Sequence, residues 1–175
     1  MGNRDFQRKL SVLEANQLIR QFKAHLKCWK VSLQHGDILN FELGRRVWEP
    51  WSDSRKGGSL VGSACLTLKG SNWIIFEQGI PLYNFADVTR ELADNEIMDA
   101  FLAKTLSSVD IIHPVNLIFL FEGGPTVEMK MKQKNQLEVN LDLFNLFLPD
   151  KTVITCDNGG VLRISNSDVP IARDE

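Results

Sequence analysis

The chain has 175 residues, 43% of them hydrophobic and 24% charged, with 20 Lys and Arg against 22 Asp and Glu. This is the composition of an ordinary globular chain, long enough to bury a core without disulfides or metal, and it excludes disorder, collagen and coiled coil. A formal net charge of −2 argues against a dedicated duplex nucleic-acid binder, whose affinity comes from a basic excess that neutralises phosphates.

The first element is a helix. Ser11-Val12-Leu13-Glu14 reads as a capping box, and Ala15, Leu18, Ile19, Phe22 and Leu26 recur at helical spacing behind it. Asn16, Gln17, Arg20 and Lys23 fall on the opposite, polar side. The pattern predicts an amphipathic helix over about 11–25.

The period then drops to two. Trp29, Val31 and Leu33 alternate with polar residues, His35-Gly36-Asp37 turns the chain, and Leu39, Phe41 and Leu43 return it as a hairpin. Ala64, Leu66 and Leu68, the turn Gly70-Ser71-Asn72 and Trp73–Phe76 predict a second hairpin. Between the two, Gly44 to Gly62 reads as a long loop rich in Arg, Trp, Ser and Gly, a length that points to function or disorder.

Asn84 or Asp87 can cap a short helical turn through Leu92, and Asp94 the next, with Ile97, Met98, Phe101, Leu102 and Leu106 as its apolar stripe. Strand character resumes at Val109. Leu117–Phe121 is nearly continuous apolar sequence, which predicts burial on both faces. Glu122-Gly123-Gly124-Pro125 turns the chain into Val127, Met129 and Met131, alternating with Glu128, Lys130 and Lys132. Lys130, Lys132 and Lys134 line one side, as on an exposed or edge strand. The Leu/Phe-rich stretch 137–148 ends at Pro149-Asp150, and a last hairpin turns at Asp157-Asn158-Gly159-Gly160.

The four hairpin turns at Gly36, Gly70, Gly123 and Gly159 are spaced by 34 residues in the first half and 36 in the second. Each half reads helix, hairpin, insert, hairpin. The expected fold class is therefore α+β: two pseudo-repeated lobes of mostly antiparallel β-hairpins, each with a helix packed on it. Residues 1–92 form one lobe and 93–175 the other, with one continuous domain as the alternative.

Chemistry is sparse. Cys28, Cys65 and Cys156 are odd in number and widely spaced, with no metal-ligand pattern, and read as free thiols. His25, His35 and His113 have no partner at motif spacing, and no phosphate-loop motif occurs. The chain reads as non-enzymatic, without cofactor or metal. Its N-terminus lacks a signal peptide's apolar region, and no apolar run is long enough to span a bilayer.

Two segments stand out as candidate binding sites. Gly44–Gly58 places Trp48 and Trp51 among Arg45, Arg46, Arg55 and Lys56. Trp and Arg are enriched at protein-interface hot spots, and the same types stack on bases in single-stranded nucleic-acid sites. The acids Asp87, Glu91, Asp94, Glu96 and Asp99, with Arg90 the sole base before Lys104, read either as solvated helix faces or as an acidic surface for a basic partner.

The helix, the strand ending in Phe119-Leu120-Phe121-Glu122-Gly123-Gly124, the following strand and the hairpin turning at Asp-Asn-Gly-Gly resemble small bacterial α/β proteins encoded beside polymorphic toxins. The chain resembles an immunity protein of a contact-dependent growth inhibition system, mainly over 95–165 and more loosely over 27–79. The resemblance implies a cytoplasmic, non-catalytic protein that binds its cognate toxin domain, often a nuclease, and blocks the active site. It carries no functional residues over. The alternative is a small RNA-binding or regulatory module using the Arg/Trp-rich segment 44–58.

Overall fold

The computed structural model describes residues 8–34, 38–50, 57–70, 72–112, 116–130, 142–157 and 159–166. The expected turn 35–37, Trp51–Lys56, His113, and Met131, Lys132 and Lys134 lie outside them.

A short strand β1 (Arg8–Leu10) leads into helix α1 (Val12–Gln21). The capping box forms as expected: Ser11 Oγ accepts from Glu14 N at 3.2 Å, and Ser11 N donates to Glu14 Oε2 at 2.8 Å. Ala15 and Ile19 are fully buried, so the stripe read from sequence is the packed face. A 3₁₀ turn (Lys23–His25) carries the chain to β2 (Cys28–Gln34). Asn16, expected on the solvated side, instead bonds the backbone of Val109.

The strands that follow are β3 (Ile38–Pro50), β4 (Gly58–Lys69), β5 (Trp73–Glu77), β6 (Ile80–Asn84), β7 (Thr105–Ile112), β8 (Asn116–Glu122), β9 (Thr126–Lys130), β10 (Asp142–Phe147), β11 (Thr152–Asp157) and β12 (Leu162–Asn166). They build a seven-stranded sheet in the order β1-β12-β11-β10-β4-β3-β2 and a five-stranded sheet in the order β6-β5-β9-β8-β7. All pairings are antiparallel. The architecture is α+β in the broad sense, mostly antiparallel sheet with few helical segments. Each sheet takes strands from both sides of residue 92.

Three expected connections differ. The segment 44–62 is not a long loop: β3 and β4 continue as a ladder out to Pro50 opposite Gly58. The turn at Gly70 closes no hairpin. β4 lies between β3 and β10, whereas β5 lies between β6 and β9, so the chain crosses there from one sheet to the other. Alternation marks a strand but not its neighbour. The hairpin of β5 is made with β6, through Gln78 (φ 52°) and Gly79 (φ 80°).

The helical segment runs as α2 (Arg90–Leu92), a π-helical stretch (Ala93–Ile97) and α3 (Met98–Phe101). Thr89, not Asp94, caps it: Thr89 Oγ1 accepts from Leu92 N at 3.2 Å. Asn84 does cap the preceding 3₁₀ turn (Phe85–Asp87), accepting from Ala86 N at 3.0 Å. The helix stops at Phe101, and Leu106 belongs to β7 rather than to the helical stripe.

Ring contacts fasten the layers. Phe119 of β8 meets Phe144 of β10 edge-on at 5.0 Å, and Phe41 of β3 lies 5.4 Å from Phe121 of β8. Phe101 touches both Phe41 and Phe121. Only the odd residues of β8 enter this core. Ile118 is half-buried and Leu120 exposed, so the expected two-sided burial is one-sided. The sheets are also stitched along one side. Cys28 N donates to Lys104 O at 2.7 Å, Ala103 N to Cys28 O at 2.9 Å and Leu106 N to Leu26 O at 3.1 Å. The last hairpin forms as expected, its turn gathered by Asp157, whose carboxylate accepts from Gly159 N, Val161 N and the Arg163 guanidinium. Among the described residues, no helix is long and apolar enough to cross a membrane.

Candidate functional site

Beyond Leu43 the β3–β4 ladder outruns its neighbours. β2 pairs with β3 only as far as Leu43, and β10 pairs with β4 only as far as Cys65. Residues 46–50 and 58–62 therefore form a two-stranded arm. Its edges have no further strand beside them among the described residues.

The arm's root is a β-bulge between Leu43 and Arg46. Gly44 sits there at φ 75°, and a Cβ at this position would run into the carbonyl of His25 and the hydroxyl of Ser63. Gly44 N donates to Lys27 O at 2.8 Å, and Arg45 N to Ser63 Oγ at 3.0 Å. A chain of polar side chains reaches this root along the other face of the sheet. Thr67 Oγ1 donates to Asn40 Oδ1 at 2.7 Å, Asn40 Nδ2 to Glu42 Oε1 at 3.1 Å, and Gly62 N to Glu42 Oε2 at 2.7 Å. Glu42 is only 3% exposed, so its carboxylate is built into the root rather than offered to solvent.

The arm presents an apolar and cationic surface. Trp48 is 61% exposed and sits directly opposite Leu60, itself 47% exposed. The indole lies across Gly58 on the facing strand, where a Cβ would meet ring atom Cε2 at 2.7 Å. The arginines are exposed, and the Arg46 guanidinium stacks over the Trp29 ring at 4.9 Å.

Of the residues expected here, Arg45, Arg46 and Trp48 thus share the arm, while Trp51 and Arg55 lie outside the described residues. Leu60 and Trp29 escaped sequence reasoning as site members. Trp29 reads as one more strand residue, and Leu60 sits in the stretch read as loop.

The five acids lie elsewhere. Asp87, Glu91, Asp94, Glu96 and Asp99 are all exposed on the segment 85–101. The Asp87 carboxylate accepts from Asn84 Nδ2, and Glu96 Oε2 accepts from the Tyr83 hydroxyl at 3.1 Å. Partial burial and that bond to Glu96 hold the Tyr83 phenol above its ordinary pKa. The helix is tied at its C-terminal end to Cys28 of β2, near the arm's root, and Glu91 opens its other end.

The remaining nucleophile candidates are poor ones. All three thiols are buried, and burial pushes Cys28 and Cys156 up to about 12, so both are neutral at physiological pH. Among the described residues, no group of His, Cys, Asp and Glu could hold a metal ion.

Compared with protein-family models, curated proteins and solved structures, the chain matches none.

Proposed function

We propose that the chain is a binding protein that docks onto a partner protein through the β3–β4 arm. We further propose that this partner is the toxin domain of a polymorphic toxin system, held inactive by occlusion of its active cleft.

 The observation that carries the reading is Trp48, most of its indole in solvent on a projecting ribbon, paired with Leu60, which is also exposed, and flanked by Arg45 and Arg46. A large apolar ring held out on two strands by a bulge and a glycine bed is costly to solvate, and it becomes an anchor once a pocket closes over it. The acids on 85–101 would speed the encounter with a basic partner such as a nuclease domain, without setting the final affinity.

The test is co-expression with the neighbouring reading frames of the native locus, followed by pull-down and sizing. The expected result is a stoichiometric complex with a neighbour that is lethal when expressed alone. Trp48→Ala should then weaken the complex by about 2 kcal/mol or more, roughly thirtyfold in dissociation constant. If RNA alone copurifies, with an affinity that falls steeply as salt rises, the arm is an RNA-binding module and the toxin reading is wrong.

A further inference from the structure

Among the described residues no strand lies beside the outer edge of β3 over the arm, and an open strand edge is one a protein ordinarily blunts or pairs. Pro50 faces Gly58 and has no N–H to give, so this pair sits where backbone groups point away from the facing strand. Counting back by twos, the N–H and C=O groups of Trp48 and Arg46 also point out along the free edge.

We propose that this edge pairs antiparallel with the same edge of a second copy of the chain, about a two-fold axis at Val47. Symmetry restricts the choices, because an antiparallel two-fold pairing must place one residue opposite itself. Centring on Arg46 sets two guanidinium groups against each other. Centring on Trp48 sets Val47 against Glu49 and Arg46 against Pro50. Centring on Val47 sets valine on valine, Arg46 on the indole of Trp48, and Arg45 on the carboxylate of Glu49, each contact made twice.

Side-chain direction agrees with that register. Arg46 and Trp48 share one face of β3, and Val47 and Glu49 the other. Arg46, already stacked on Trp29 of its own chain, would gain the second copy's Trp48 on its open side. Val47, 37% exposed in the single chain, would be covered. Pro50 and the Gly44 bulge end the pairing on either side, which keeps it short and reversible.

Light scattering coupled to size exclusion, run on the full chain across a concentration series, tests this. The expected mass rises from 19.8 kDa toward twice that value as concentration increases. Val47→Lys sets two ammonium groups opposite each other and should weaken the dimer roughly tenfold or more. Arg45→Glu and Glu49→Arg should each weaken it, and the two together should restore it. Circular dichroism confirms that each variant folds, as expected at exposed arm positions. A wild type that stays monomeric throughout overturns the proposal. So does a dimer that survives Val47→Lys, or one that the paired charge reversal fails to restore. Self-association is read on the isolated chain, so it stands or falls independently of the toxin complex.

Discussion

Asn16 of α1 and Val109 of β7 hold each other by two hydrogen bonds. Asn16 Nδ2 donates to Val109 O at 2.9 Å, and Val109 N donates to Asn16 Oδ1 at 2.8 Å. The side-chain amide thus takes the place of a neighbouring strand along β7, and it fixes α1 against the five-stranded sheet at a definite height.

Removing this clasp is expected to cost more than an ordinary polar contact. Asn16→Ala leaves both backbone groups of Val109 without their partner in a part-buried site, a loss of about 2 kcal/mol. For a chain of this size that corresponds to a fall in melting temperature of about 4–8 °C. Asn16→Asp keeps the acceptor but loses the donor and sets a carboxylate against a carbonyl, so it too should melt below the wild type. A melting curve for each variant decides the matter, and an unchanged Asn16→Ala would show that α1 is held by its apolar stripe alone.

The arm's root gives a second expectation. Glu42→Ala removes the acceptor for Gly62 N in a part-buried site and the partner of Asn40 Nδ2 in a buried one. The expected cost is about 2–3 kcal/mol. It should appear first as faster amide exchange over 58–62, because the rest of the sheet keeps its own ladder. Gly44→Ala attacks the same root through the backbone, forcing an L side chain into φ 75° against the carbonyl of His25. Exchange that rises equally across the whole chain would mean that the arm and body unfold as one unit.

Much of this architecture was readable from sequence, and the parts that were not share a cause. The capping box at Ser11 and Glu14, the alternation of β2 and early β3, and the turn at Asp157 are local signals, and each is found where expected. Pairing is not local. Trp73–Phe76 reads as apolar and strand-like as any hairpin arm, yet its neighbours are Ile80–Asn84 and Thr126–Lys130 rather than β4. The arm was missed as structure because Arg46, Val47 and Trp48 are all exposed, so Arg46-Val47-Trp48-Glu49 shows no buried-face alternation to read, and of the facing residues 58–62 only Val61 is buried. Its Val and Trp content was the signal that could have found it. The candidate site was legible as Trp48 with Arg45 and Arg46, but not as a ribbon, because Leu60 and Gly58 acquire meaning only once the register sets them against Trp48 and Pro50.

Acid should loosen the N-terminal helix in a defined window. Ser11 N, the Arg8 guanidinium at 2.7 Å and the Ser11 hydroxyl hold the Glu14 carboxyl down to about 2, from an ordinary 4.5. A depressed folded value means stability that is present above pH 4.5 and lost as pH falls toward 2. Glu14→Gln removes that dependence, so the acid limbs of the two melting-temperature profiles should converge below pH 3 or so. Parallel profiles throughout would show that the capping box is not anchored by the charged carboxylate.

Alkali acts through the thiols with the opposite sign. Burial raises Cys28 and Cys156 from an ordinary 9.0 to about 12 in the folded chain. A raised folded value means stability that is complete below pH 9.0 and lost as pH climbs toward 12, because the unfolded chain releases these protons first. Each thiol contributes a slope of about 1.4 kcal/mol per pH unit once the unfolded chain ionises. Tyr83, raised from 10.0 by partial burial and its bond to Glu96, adds to the same trend. Replacing both cysteines by alanine should flatten the loss between pH 9 and 11, while lowering stability at neutral pH through the cavities it leaves. The same burial predicts that neither thiol of the folded chain reacts with a disulfide reagent at pH 8 until denaturant is added. Rapid labelling of the native protein would mean that the sheet around Cys28 and Cys156 opens far more often than its packing allows.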